Sequence, residues 1–332
     1  MTERRPTIYD VARRCGVAAS TVSRAFSNPA RVNATTRALV RAAAAEIGYA
    51  PRPLARAEAP GRSRTLMLVV TDIANPYYAS MIKAVQARAI EHRYTLALTD
   101  SDESPQVEAS NLRHLLAGSS GGILATSRLS DDTVRQLARH RPLVVVNREI
   151  AGLPSLVVDT AGGMGEAVRH LAAHGHRRIA YLSGPRNSWI NGQRWNAVRG
   201  AAAELGARAV FLGPHAPTRE GGHDAAEALL LDGATAAIAY NDLVAIGAVR
   251  RLQHRGIRLP QDRSVVGCDD IFGADLLVPG LTTVAGPTGQ VGSCAVDLVH
   301  AELTGGVARS RTFDAHLRVR GSTGPAPATD GN

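Results

Sequence analysis

Lysine is almost missing from this chain: Lys83 is the only one, so nearly all of the 38 Lys+Arg side chains are guanidinium groups. With the heavy use of alanine this is a bias of composition, and it identifies no partner. Cysteine is scarce too. The three residues, Cys15, Cys268 and Cys294, have no pairwise metal-ligand spacing and are too few for a disulfide scaffold, which fits a reducing cytoplasm. The first residues, MTERRPT, contain no apolar run of the secretory kind, and no stretch approaches the ~20 apolar residues of a membrane span. Phosphate loops of the GxGxxG or GxxxxGK[ST] type are absent from the body of the chain, and no nucleophile, base and orienting group stand at a recognisable spacing. No catalytic residue, cofactor or metal site is therefore expected.

What is present is uneven charge. Of 332 residues with a formal net charge of +9, the first 64 hold 12 Lys+Arg against 4 Asp+Glu, while the remainder hold 26 against 25. A basic head on a near-neutral body is the electrostatic pattern of a nucleic-acid module joined to something else. Within that head, Thr7 followed by Asp10 predicts a capped helix with Ile8, Val11, Ala12 and Cys15 at helical spacing. Gly16 supplies a sharp turn, and a second short helix follows over 19–26, with Val22 and Phe26 inward and Ser20, Thr21, Ser23 and Arg24 outward. This is a helix-turn-helix pattern, whose second helix enters the DNA major groove. Asn33 caps a third helix over 34–47, with Leu39, Val40, Ala43 and Ile47 on its inner face and Gly48 at its end.

From Thr65 onwards, apolar strands such as LMLVV, GILAT, LVVVN, AIAY and VVGC alternate with amphipathic helices. Such units predict parallel sheets covered on both faces, and nearly 270 residues of them predict two α/β lobes. Ligands bind beyond the carboxyl ends of strands in open α/β sheets, which singles out Asp72, Asn75, Asn147, Arg148, Asp159, Asn241, Asp242, Asp269 and Asp270.

The run TIYDVARRCGVAASTVSRAF, the segment YAPRPLAR, and the later stretches NPYYASMIKAV, HLAAHGHRRIAYLSGP, AYNDLVAIGAV, LPQDRSVVGCDD and PGLTTV together resemble the lactose-repressor/galactose-repressor (LacI/GalR) family over about residues 6–320. The resemblance implies a homodimeric transcription regulator, usually a repressor. A small all-α helix-turn-helix head would bind a near-palindromic double-stranded operator, and a two-lobed, periplasmic-binding-protein-like α/β body would bind a small sugar-like effector. It places base reading on Ala19, Ser20 and Arg24, phosphate contacts on Tyr9, Thr21, Ser23 and Asn28, and the hinge contacts on Leu54, Ala55 and Arg56. The family's minor-groove leucine is Glu58 here; either Leu54 takes over as the wedge, or the operator is bent less, or the hinge orders only loosely. For the effector, the resemblance points to Asn75, Tyr77, Tyr78, Asn147, Arg148, Arg194, Asn241 and Asp269. Pro217 stands where several relatives place a stacking aromatic, leaving that task to Trp189 or Trp195.

The expected organisation is a head over 1–48, a hinge over 49–64, a body over 65–323 and a disordered tail over 324–332. The family's chain crossing implies a first lobe of 65–158 plus 287–307 and a second of 159–286 plus 308–323. The tail has no apolar heptad, so a dimer is expected and not a coiled-coil tetramer. His170, His174 and His176 form H-x-x-x-H-x-H, read here as basic residues at a helix end and not as a metal site. The principal rival is a sugar-binding or transport-associated protein with no role on DNA.

Overall fold

The structure, a computed structural model, describes residues 6–27, 32–47, 49 and 64–328. The chain divides into two compact units, residues 1–62 and 63–332.

In the first unit, helix α1 (Ile8–Cys15) starts where the Asp10 carboxylate accepts both the Thr7 N–H at 2.8 Å and the Thr7 hydroxyl at 2.6 Å. It ends on Gly16, whose φ of 65° is the left-handed turn that glycine adopts without strain. Helices α2 (Ala19–Ser27) and α3 (Ala34–Glu46) follow, the latter capped by Asn33, which accepts the Thr36 N–H at 2.7 Å. Val11, Val22, Ala25, Val40, Ala43 and Ala44 make the small core, and an Arg14–Glu46 ion pair ties α1 to α3. Leu39 does not join that core and is 50% exposed. It precedes Val40 by ~100° of helical rotation, which puts it at the edge of the inward stripe.

The second unit runs β1 (Thr65–Val70), α4 (Tyr77–Glu91), β2 (Thr95–Asp100), α5 (Pro105–Leu116), β3 (Gly121–Ala125), α6 (Asp131–Ala138), β4 (Leu143–Val146), β5 (Ser155–Asp159), α7 (Thr160–Ala173), β6 (Arg178–Leu182), α8 (Trp189–Glu204), β7 (Arg208–Leu212), α9 (Arg219–Asp232), β8 (Ala236–Ala239), α10 (Asp242–His254), β9 (Ser264–Cys268), β10 (Thr282–Ala285), α11 (Thr288–Thr304), β11 (Arg311–Asp314) and β12 (His316–Arg318). Two six-stranded sheets result, ordered β11-β5-β4-β3-β1-β2 and β12-β10-β9-β8-β6-β7, and every pairing is parallel except β10 with β12. The buried strands are nearly continuous apolar runs because helices cover both faces. No helix among the described residues is long and apolar enough to cross a membrane.

Two boundaries differ from the sequence reading. Residues 311–314, expected in the second lobe, form β11 at the edge of the first sheet, pairing Arg311 with Leu156 and Asp314 with Asp159. The sequence RTFD is mostly exposed and carries no apolar signature, so the third crossing falls between Asp314 and His316 and not near residue 307. The start of the expected disordered tail is also packed. The Gly324 N–H donates to Ser264 Oγ at 3.1 Å and the Ala326 N–H to the His174 carbonyl at 2.8 Å. His170 and His176, the outer members of the histidine motif, serve this same segment. His170 Nε2 lies 2.9 Å from Thr323 Oγ1, while the buried His176 lies 2.8 Å from Thr235 Oγ1 and 3.1 Å from the Gly324 carbonyl.

Candidate functional site

In the head, the outer face of α2 carries the exposed Ser20 and Arg24 four residues apart, so both lie on one side of the helix, with Thr21 and Ser23 half-buried beside them. Ala19 packs partly onto the small core and offers only a methyl group, which suits contact with a thymine methyl and no hydrogen bond. Tyr9 on α1 is largely exposed. Asn28, Leu54, Ala55, Arg56 and Glu58 lie outside the described residues.

In the body, the carboxyl ends of strands from both sheets converge on one cavity of about 30 Å³. Seven of the eight residues expected there line it: Asn75, Tyr77, Tyr78, Asn147, Arg194, Asn241 and Asp269. The turn after β1 is built by asparagine and aspartate side chains that accept nearby N–H groups: Asn75 Oδ1 takes that of Tyr77, and Asp72 Oδ1 that of Ala74. This places both tyrosines at the start of α4. The Tyr78 hydroxyl is buried between Thr71 Oγ1, at 2.8 Å, and Thr126 Oγ1. The Tyr77 hydroxyl accepts from Asn147 Nδ2 at 2.6 Å. Burial in this setting pushes both phenols far above their ordinary range, so they act as neutral donors.

On the second lobe, Arg194 projects from α8 with Nε on Thr160 Oγ1 at 3.0 Å and Nη1 on the Tyr240 carbonyl; Nη2 lies 3.6 Å from Asp269 Oδ1. Its guanidinium also sits 5.2 Å from the centroid of the Tyr240 ring. Burial pushes the Asp269 carboxyl up to about 7, and the neighbouring Arg194 opposes that rise without overcoming it. Asn241 spends its side chain on structure, accepting the Val244 N–H at 2.9 Å to cap α10 and donating to the Pro217 carbonyl at 3.1 Å.

Arg148 is the departure. Its Nη1 donates to the Ser127 and Leu129 carbonyls and its Nη2 to Asp131 Oδ1 at 2.6 Å, so it braces the loop after β3 and does not line the cavity. The cation of the first lobe is instead Arg128, absent from the sequence reading. It donates from Nε to Glu103 Oε2 at 2.6 Å and reaches the second lobe through Nη2 to Tyr240 Oη at 3.4 Å. Thr71, Glu103, Thr126, Ile190 and Tyr240 complete the lining that sequence reasoning missed. The rule of strand carboxyl ends, applied to β2 and β3 as it was to β1 and β4, points to Glu103, Thr126 and Arg128. Neither Trp189 nor Trp195 lines the cavity; Trp195 packs against Tyr181 and Phe211 instead.

Four lining residues that are not glycine hold positive φ: Glu103 at 56°, Thr126 at 57°, Asn147 at 56° and Asp269 at 121°. The last three each follow the final residue of a strand directly, and Glu103 lies in the turn after β2. Backbone strain of this kind concentrates where side chains are aimed at a ligand.

Known proteins resemble this chain in sequence and in fold. The family model "Bacterial regulatory proteins, lacI family" matches residues 7–52, and "Periplasmic binding protein-like domain" matches residues 168–323. The HTH-type transcriptional repressor CytR of Escherichia coli (strain K12) is 31% identical over 334 residues, spanning 97% of each chain. Among solved structures, the transcriptional regulator CelR–cellobiose complex has a TM-score of 0.70 at 30% identity, covering 96% of this chain and all of that one. The lac repressor dimer bound to operator and the anti-inducer ONPF has a TM-score of 0.73 at 26% identity, covering 97% of this chain and all of that one. This chain belongs to the LacI family of bacterial DNA-binding transcription regulators.

Proposed function

We propose that this protein is a cytoplasmic homodimeric repressor whose operator binding is controlled by a sugar or sugar derivative held between the two lobes of the body. The single observation that supports the effector class best is the cavity lining. Two guanidinium–carboxylate pairs, Arg128–Glu103 and Arg194–Asp269, face each other beside tyrosine hydroxyls, a set of planar donors and acceptors suited to vicinal hydroxyl groups. About 30 Å³ is the volume of one water, so a sugar enters only when the lobes part, breaking the Arg128–Tyr240 bridge. Effector and operator then compete through the populations of open and closed bodies.

The test is a thermal-shift screen against sugars, sugar acids and nucleosides, with retention of a labelled genomic DNA pool measured in parallel. One ligand class is expected to raise the melting temperature and change the amount of DNA retained. Stabilisation by ligands with no DNA retained at low salt would sink the regulator reading in favour of a sugar carrier. Arg24→Ala is expected to weaken the operator complex about tenfold to a hundredfold, the worth of a bidentate base contact, with little change on random DNA. An equal loss on both would assign Arg24 to phosphate contact.

Self-association is assigned to the segment between β9 and β10. Phe272 is 86% exposed and Val278 84%, with the largely exposed Leu276 between them, an apolar surface that a second copy would cover. The double variant Phe272→Ser/Val278→Ser is expected to shift the protein toward monomer in sedimentation at micromolar concentration. An unchanged dimer would place the interface elsewhere.

A further inference from the structure

The first lobe has a second cavity, of about 630 Å³, on its outer side. It is a groove between two helices. Ala109, Leu112 and Leu116 on α5 face Leu137 on α6, and these positions recur every three or four residues along α5, so one stripe of that helix forms a wall. Its mouth is cationic: Arg113 and Arg141 stand exposed around it beside His140, and no carboxylate belongs to the lining. Neither Arg113 nor Arg141 has a side-chain partner among the described residues, whereas the neighbouring Arg135 on α6 is paired with Asp131 and Asp132.

We propose that this groove is a second ligand site, separate from the cleft between the lobes, and that it takes a small amphiphilic carboxylate: an acyl or aryl body with one anionic head. The volume lies within the range of about 300–1,000 Å³ common to small-molecule pockets. Leu112 and Leu116 belong to the core that backs the groove, so the apolar surface open to a ligand is that of Ala109, Ala117 and Leu137, a narrow strip that suits a slender tail better than a docking protein helix. Two unpaired guanidiniums at the rim favour a carboxylate over a neutral alcohol, since a charge-assisted pair is stronger than a neutral hydrogen bond.

The groove is also joined to the cleft by its own two helices. Glu103 immediately precedes the Ser104 cap of α5, and Arg128 lies two residues before Ser130, the cap of α6. On α5, Glu108 accepts the Arg128 N–H at 2.8 Å, tying α5 at the cleft end to the loop that leads into α6. A ligand that spreads α5 from α6 therefore acts on the Glu103–Arg128 pair. This coupling, unlike the binding itself, rests on the effector reading given above.

The probe is decanoate, titrated calorimetrically into the full-length protein, with decanol as the neutral control. One decanoate per chain is expected, held at least tenfold more tightly than decanol. Arg113→Gln/Arg141→Gln should weaken decanoate about tenfold and leave decanol unchanged, and Ala117→Trp, which fills the groove, should abolish both. These positions are exposed, and unchanged melting of each variant verifies the fold. Equal binding of decanoate to the double variant, or no binding to the parent, overturns the site. Hydrogen exchange with decanoate bound should change in residues 103–108 and 126–129 as well as along the groove; changes confined to 109–117 and 133–141 overturn the coupling and leave the site standing.

Discussion

Asp269→Asn is expected to lower effector affinity about a hundredfold at pH 8 while operator binding in the absence of effector stays intact. A hydrogen bond to a charged group contributes about 1.5–3 kcal/mol, and Asp269, in an ion pair with Arg194 at 3.6 Å, is nearly inaccessible to water. The pH dependence separates this role from a structural one. Because burial raises the carboxyl to about 7, the folded protein holds more protons than the unfolded chain from the ordinary carboxylate range up to about 7. The stability that Asp269 contributes is therefore fully present at low pH and is lost as pH rises through 7. Asparagine imitates the neutral carboxyl in both the folded and the unfolded chain only below the ordinary carboxylate range, so variant and parent should melt together at about pH 4, and by pH 7 the variant should melt higher. An effector hydroxyl that donates to the carboxylate gains it above pH 7, so the affinity gap should widen from pH 6 to pH 8. Calorimetry at both values with the ligand found by the screen decides the matter, and unchanged affinity at pH 8 removes Asp269 from the site.

Gly247→Val is expected to destabilise the body by about 3 kcal/mol or more, among the larger effects of overpacking. A side chain begun at Gly247 on α10 would come 2.0 Å from the Arg219 carbonyl oxygen, and one at Gly222 on α9 would come 2.3 Å from that of Val244. Both obstacles are backbone atoms, which cannot rotate aside. The two helices touch main chain to main chain, and this contact fixes the start of α10, where Tyr240 and Asn241 meet the cleft. Below Asn241, the buried Asp242 accepts the Ile271 N–H at 2.9 Å and the Thr283 hydroxyl at 2.5 Å, so displacing α10 disturbs the loop bearing Asp269 as well. The control has the opposite sign. Gly200 lies inside α8 with nothing within 4 Å of its would-be side chain, so Gly200→Ala should stabilise the protein by up to about 1 kcal/mol through helix propensity alone. Thermal unfolding of both variants measures the contrast; a Gly247→Val protein that melts with the parent would mean that α9 and α10 can separate freely.

Much of this was legible in the chain itself, and the reason is that the signals were local. Thr7 and Asp10 stand three residues apart and cap α1 through contacts no longer than that turn. The basic head, the strand–helix alternation and the residues after β1, β4, β8 and β9 follow from charge count, hydrophobic period and the rule of strand ends, none of which needs a partner distant in sequence. What only the tertiary structure decided were competitions between distant partners. Arg148 and Arg128 both follow strands of the first lobe, and nothing in their neighbourhoods tells them apart. Arg148 turns away because the Ser127 and Leu129 carbonyls and Asp131 lie within its reach, whereas Arg128 reaches the cleft because Glu103 and Tyr240 meet it there. Likewise the polar β11 pairs with a strand about 150 residues earlier, and Gly324 is held by Ser264 and His176. Sequence fixes which groups a residue brings to a site, but the direction of a long side chain or an edge strand is settled by whichever satisfied set of hydrogen bonds the packed lobes make available.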